Sequence, residues 1–325
     1  MEWIADPAAG AWLRTHLDPA LNASMHAVVP RGFPAYARVF HPPAVRSLPD
    51  RAVPSPEEWE RLSPEERDRL LDLFIDEPTT WRDAAHAFGT VLHPLAQWQS
   101  LVRTPPGDDW NLRLAPDGRE FTGPDEGQLE PSRLSWIAEH LAAHTSTPDA
   151  GVAAIWGGWG GLLGHFGETS SRRFFAIGDD APHHQEMLMR SIHDPFNNGF
   201  RKPSWQEGIL SREISEGPKL ELPAREHVLF SASARDFTDP SWVLRAPWRD
   251  LPAEEHGFAP SAYSPSILWP DDRAWVLVSE VDFDSTVVAG SAELVAALCA
   301  DDRLEALPIP EGADLTWDAD GVNAS

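Results

Sequence analysis

The sequence predicts an α+β fold of short strands and short helices joined by many proline-delimited turns. Three observations carry that expectation. Thirty-one prolines are spread along 325 residues, so few regular elements can run long. Apolar residues recur at helical spacing in some stretches and alternate in others. The clearest passage, 266–309, reads as strand, strand, helix.

Taken in order, "VVPRGFPAYARVFHP" is extended, with Ala35, Ala37, Val39 and His41 on one face and Tyr36, Arg38 and Phe40 on the other. "SPEEWERL" and "SPEERDRLLDLFIDEP" each open a helix. Ser55 and Ser63 are the caps, Pro56 and Pro64 take the first helical position, and Glu58 and Glu66 close capping boxes. Leu70, Leu71, Phe74 and Ile75 then fall on one side of the second helix. "TTWRDAAHAFG" places Trp81, Ala84, Ala85 and Phe88 on one helical face and ends at Gly89. A further helix is expected in "PLAQWQSLVR", and residues 104–131 read as loop. "EPSRLSWIAEHLAAH" is a helix and "VAAIW" a buried strand. Residues 165–218 sustain neither period and read as a long loop or insertion between a mixed region, 1–164, and a strand-rich region, 219–325. In the latter, "HVLF", "AWVLVSEVDF" and "TVVAG" read as strands, and Ser291 caps a helix carrying Leu294, Val295 and Leu298. The tail from Asp301, with seven acids and one base, reads as a solvated end.

Composition bounds the function. Apolar residues make up 42% of the chain, enough for a substantial core. The 51 acids against 26 bases give a net charge of −25, which repels phosphate backbones and anionic lipid. Nucleic acid and membrane surfaces are therefore excluded as general partners, whereas a basic protein or a small molecule remains. In a segment resembling a helix-turn-helix at 79–103, the recognition part "HPLAQWQSLVR" offers only Arg103 for a phosphate. Cys299 is the only cysteine, so no internal disulfide forms, as in a reducing compartment. The opening "MEWIADPAAG" lacks the basic and apolar regions of a signal peptide, and a cytoplasmic location is expected. Fifteen tryptophans stand against two tyrosines; most are expected in the core and the rest along a pocket or interface.

The strings "VVPRGFPAYARVFHP", "HPLAQW", "HTSTPD", "SPSILWPDDRAWVLVSEVDFDSTVVAGS" and "DDRLEALP", in that order, resemble a group of uncharacterised actinobacterial hypothetical proteins. No activity accompanies that group, so the resemblance implies a soluble bacterial protein and carries over no site residue.

Several constellations are candidates for chemistry. "ARVFHPPA" and "GTVLHPLA" place His41 and His93 before prolines. Either the two imidazoles are paired ligands or a base and its partner, or each His-Pro closes an extended stretch. Arg31 and Arg38 are either buried partners for carboxylates or holders of an anionic ligand. "SEVDFDS" as a strand puts Glu280, Asp282 and Asp284 on one face, able to bind a hard cation or to supply an acid and a base. "IWGGWGGLLGHFG" matches neither a P-loop nor a dinucleotide fingerprint, and its glycines are expected to let the backbone pack around Trp156 and Trp159. His140 and His144 share a helical face without a third zinc ligand beside them. His183, His184, Glu186, His193 and Asp194 cluster within the expected loop. No nucleophile elbow exists, and Cys299 sits in an apolar stretch. No cofactor or metal is specified. The resulting expectation is a non-catalytic protein-binding module. The alternative is a metal-assisted or acid/base enzyme combining His41 or His93 with the 280–284 carboxylates and a tryptophan wall.

Overall fold

The computed structural model describes residues 1–20, 23–51, 53–167, 204–223 and 225–323. The histidine-rich 183–194 segment lies outside them. The fold is α+β, with antiparallel sheets and short helices. Among the described residues no helix is long and apolar enough to cross a membrane. Contacts divide the chain into two units: Met1–Leu21 with Glu130–Val276, and Asn22–Leu129 with Leu277–Ser325.

In the first unit, Glu226–Ser231 is the central strand. It pairs antiparallel with Glu2–Ile4 and Leu220–Glu221 along one edge and with Gly151–Trp156 along the other. Gly151–Trp156 in turn pairs with Ile267–Pro270. Helix Pro131–Ala143 buries Leu134, Ile137, Ala138 and Leu141, and packs against the 3-10 turns Ala234–Phe237 and Pro240–Arg245. The Trp275 indole donates to the Leu141 carbonyl near the end of that helix, 2.9 Å away. The expected loop at 165–218 begins and ends in regular structure: His165–Gly167 pairs with Ser204–Gln206, and Arg212–Glu216 is helical.

In the second unit, Ala35–Phe40 lies between Ser285–Gly290 and Ala306–Ile309, antiparallel to both. Helix Ala292–Cys299, capped by Ser291, packs on Ala35–Phe40 and Ala306–Ile309. A second antiparallel sheet runs in the order Ile75–Pro78, Ala44–Ser47, Glu120–Thr122, Leu112–Leu114. Helix Trp81–Phe88 buries Trp81, Ala84, Ala85 and Phe88 against Phe40, Trp98 and Phe121, and Gly89 ends it in the left-handed region at φ 66°. Both capping boxes, at Ser55–Glu58 and Ser63–Glu66, form as local chemistry dictates.

Several expectations need correction. The helix from Ser63 ends at Leu71; Ile75 begins a strand instead and is exposed with Leu71, because Leu70 alone finds the core. Only Trp98–Leu101 of the "PLAQWQSLVR" segment is α-helical. The strand expected across "AWVLVSEVDF" is confined to Val276–Val278, and Phe283 N–H bonds back to the Glu280 carbonyl at 2.9 Å in a turn. Glu280, Asp282 and Asp284 therefore do not share a strand face. The acidic tail is no solvated end. Glu305 accepts the N–H groups of Trp81 and Arg82 at 2.6 and 3.0 Å, at the positive end of that helix, and Ala306–Ile309 completes a sheet.

Candidate functional site

The site grows from Arg38, on the middle strand of the second unit and only 1% exposed. A buried guanidinium needs every donor met. Its Nε donates to Ser285 Oγ (2.7 Å), Nη1 to the Ala96 and Pro94 carbonyls (2.7 and 3.3 Å), and Nη2 to Asp284 Oδ1 (2.9 Å). It lies over the Phe40 ring, 4.6 Å from its centroid. Burial pulls its pKa below the ordinary arginine value, and Asp284 opposes that pull. Arg38 is therefore the buried partner of a carboxylate. Four of its five N–H groups are thus committed to protein oxygens.

Asp284 is in turn held at the edge of a cleft of about 380 Å³. The turn carrying Asp282, Phe283 and Asp284 is met by a second turn carrying Glu126, joined by the Gly127 N–H to the Phe283 carbonyl at 2.8 Å. Gly127 has φ +66°, and a Cβ there would sit 2.5 Å from Val281 Cα and 2.8 Å from its carbonyl oxygen. Only glycine permits that approach. It brings Glu126 into the field of Asp282 and Asp284. Partial burial, then the charges of Asp284 and Asp282, push the Glu126 carboxyl above its ordinary pKa.

The opposite wall is indole. Trp98 is buried and donates its N–H to the Trp110 carbonyl at 3.1 Å. Trp110 and Trp317 meet with centroids 5.4 Å apart and planes inclined at 71°. Leu315 fills the space beside them, and Gln99 donates to the Trp317 carbonyl. Three carboxylates thus line the same small cleft as Trp110, Trp317 and the buried Trp98, a combination that attracts cations through both ring quadrupole and charge.

Comparison with protein-family models, curated proteins and solved structures finds no match for this chain.

The sequence-expected residues distribute unevenly around this cleft. Asp282 and Asp284 line it, and Arg38 stands behind Asp284. Glu280 does not line it; it closes the turn that presents the other two. His41 is 1% exposed and committed elsewhere. Its Nδ1 is 2.6 Å from the Asp125 carbonyl and its Nε2 2.9 Å from Thr286 Oγ1, which lies 2.7 Å from Ser279 Oγ. Burial lowers its pKa, so the ring is neutral. His93 pairs with Asp320 at 2.8 Å and accepts the Leu95 N–H at 3.3 Å. The two His-Pro histidines therefore make separate knots, each with both ring nitrogens in use.

Trp156 and Trp159 belong to the first unit. Their rings are 5.2 Å apart, Trp159 stacks on Tyr263 at 4.9 Å, and Arg225 covers Trp156 at 5.2 Å. A Cβ on Gly158 would lie 2.2 Å from the Trp156 ring, so this glycine serves close packing around an indole, whereas a Cβ on Gly160 would meet nothing within 4 Å. His144 Nδ1 lies 2.8 Å from the His140 carbonyl, within the helix end. Among the described residues no three His, Cys, Asp or Glu side chains are grouped to hold a metal. Burial raises the Cys299 thiol pKa, which keeps it protonated.

Sequence reasoning missed Glu126, Gly127, Trp98, Trp110 and Trp317 as site residues. The one available signal was Trp317, a large indole in an otherwise acidic tail.

Proposed function

We propose that this protein is a non-catalytic binding module whose second unit captures a cationic group, presented by a basic protein or a small molecule. The carrying observation is the cleft itself: Glu126, Asp282 and Asp284 line the same small space as the Trp98, Trp110 and Trp317 indoles. The net charge of −25 supports this reading, since it concentrates cations around the molecule and speeds their encounter. The test is tryptophan fluorescence titration with lysine-rich peptides, arginine-rich peptides and small organic cations, each against a neutral isostere. Cations are expected to bind, more weakly as salt rises, and an E126Q/D282N variant to lose about tenfold in affinity. Equal binding of the isosteres, or an unchanged variant, contradicts the reading.

A second reading, acid/base catalysis, is favoured by one observation. Glu126 has its pKa raised, while Asp284 is tied to Arg38; two carboxyls in unlike environments suit an acid and a base. Turnover of chromogenic glycosides or esters that E126Q abolishes supports it; turnover that E126Q leaves intact removes it.

A further inference from the structure

The geometry points to an alkylated ammonium group as the cation that the cleft takes up, an assignment that rests on the cation reading above. The indole planes of Trp110 and Trp317, inclined at 71° with centroids 5.4 Å apart, meet edge to face in a corner, and both residues line the cleft beside the buried Trp98. A round cation touches both walls of such a corner. A flat guanidinium gains most by stacking on a single ring face and by pairing with a carboxylate in its own plane.

The acid side leads to the same choice. Oδ1 of Asp284 already receives Arg38 at 2.9 Å, so a second guanidinium binding fork-fashion would have to share that oxygen with Arg38. A primary ammonium is compact, strongly hydrated and carries three N–H donors, each of which needs an acceptor when water is removed. Trp110, Trp317 and Leu315 offer those donors no acceptor on their part of the lining, which leaves Glu126, Asp282, Asp284 and the Gln97 and Thr316 side chains to serve them. Replacing the hydrogens by methyl groups removes that requirement. The charge then spreads over carbon, sheds water readily, and is held by ring faces and nearby carboxylates without direct hydrogen bonds. A cleft of about 380 Å³ also suits a headgroup-sized ligand. A free alkylammonium compound and a methylated lysine side chain share this chemistry.

Calorimetric titration of the full chain with tetramethylammonium, methylammonium and methylguanidinium tests the assignment. Tetramethylammonium is expected to bind at least about tenfold more tightly than the other two, W317A to lose about tenfold, and W317F to keep most of the affinity. Trp317 is 48% exposed, so neither variant threatens the fold. Methylammonium or methylguanidinium binding as tightly as tetramethylammonium overturns the alkylammonium assignment and leaves the cation reading standing. Failure of all three cations, and of the basic peptides, overturns both. Choline and a trimethyllysine peptide then separate the sources. Tighter binding of either, lost in W317A, supports the assignment and names the source; binding of neither counts against it.

Discussion

Asp284 meets the Arg38 guanidinium at 2.9 Å, and the two ends of this pair differ sharply in exposure: 1% for the arginine side chain, 14% for the carboxylate. Removing the carboxylate strands a positive charge inside the protein. Removing the arginine leaves a negative charge that water can reach. D284A is therefore expected to destabilise by about 3–5 kcal/mol, and R38M by distinctly less. Urea unfolding of both variants and of the double variant checks this; R38M costing more than D284A contradicts it.

Gly127 sets how closely Glu126 approaches the 281–284 turn. G127A adds a Cβ against Val281 backbone at a φ that alanine adopts poorly. A loss of about 1–3 kcal/mol is expected, together with weakened cation binding. G158A provides a control in the first unit, because its added Cβ meets the Trp156 ring. It is expected to destabilise while leaving cation affinity unchanged.

Asp320 is buried and accepts five hydrogen bonds, from His93, Gln97, Val322 and both nitrogens of Asn323. Burial alone would raise its pKa, but these donors, led by Asn323, outweigh it and hold the carboxyl below its ordinary value. Its folded pKa is thus below its unfolded one. The stabilisation is present above the ordinary carboxylate pKa of about 4 and is lost as pH falls through the folded value. D320A is expected to cost about 3 kcal/mol and to expose the chain end to protease; an unchanged digestion pattern contradicts this.

His227 works in the opposite charge sense. Burial, then Arg225, lowers its pKa to about 4, so it folds neutral. The unfolded chain binds a proton below about 6.5 that the folded chain refuses down to about 4. Stability therefore falls as pH drops through that window, by up to roughly 3 kcal/mol from this group. H227L is expected to flatten the dependence between pH 7 and 4.5 in urea titrations; an undiminished slope contradicts the assignment.

The features legible in the sequence were those that local chemistry decides. Ser55 with Glu58, and Ser63 with Glu66, need only four residues each to specify a helix start. Gly89 ends its helix because only its own backbone must turn left-handed. The cleft escaped because it is assembled from turns. Glu126, Asp282 and Trp317 come from distant stretches, none on an element with a period. The alternation in "AWVLVSEVDF" continued on paper past Val278, where the backbone turns, so the three carboxylates shared a face only in the sequence pattern. The acidic tail misled in the same way, since its charge predicted solvation while Glu305 and Asp320 each found N–H groups to serve.

A proton–nitrogen NMR spectrum of the indole groups during titration with tetramethylammonium reads the cation site directly. The Trp110 and Trp317 resonances are expected to move together along one binding isotherm, with Trp98 following, while Trp156 and Trp159 stay fixed, and E126Q/D282N is expected to abolish the shifts. Shifts confined to Trp156 and Trp159, or none that saturate, would contradict a cation site in this cleft.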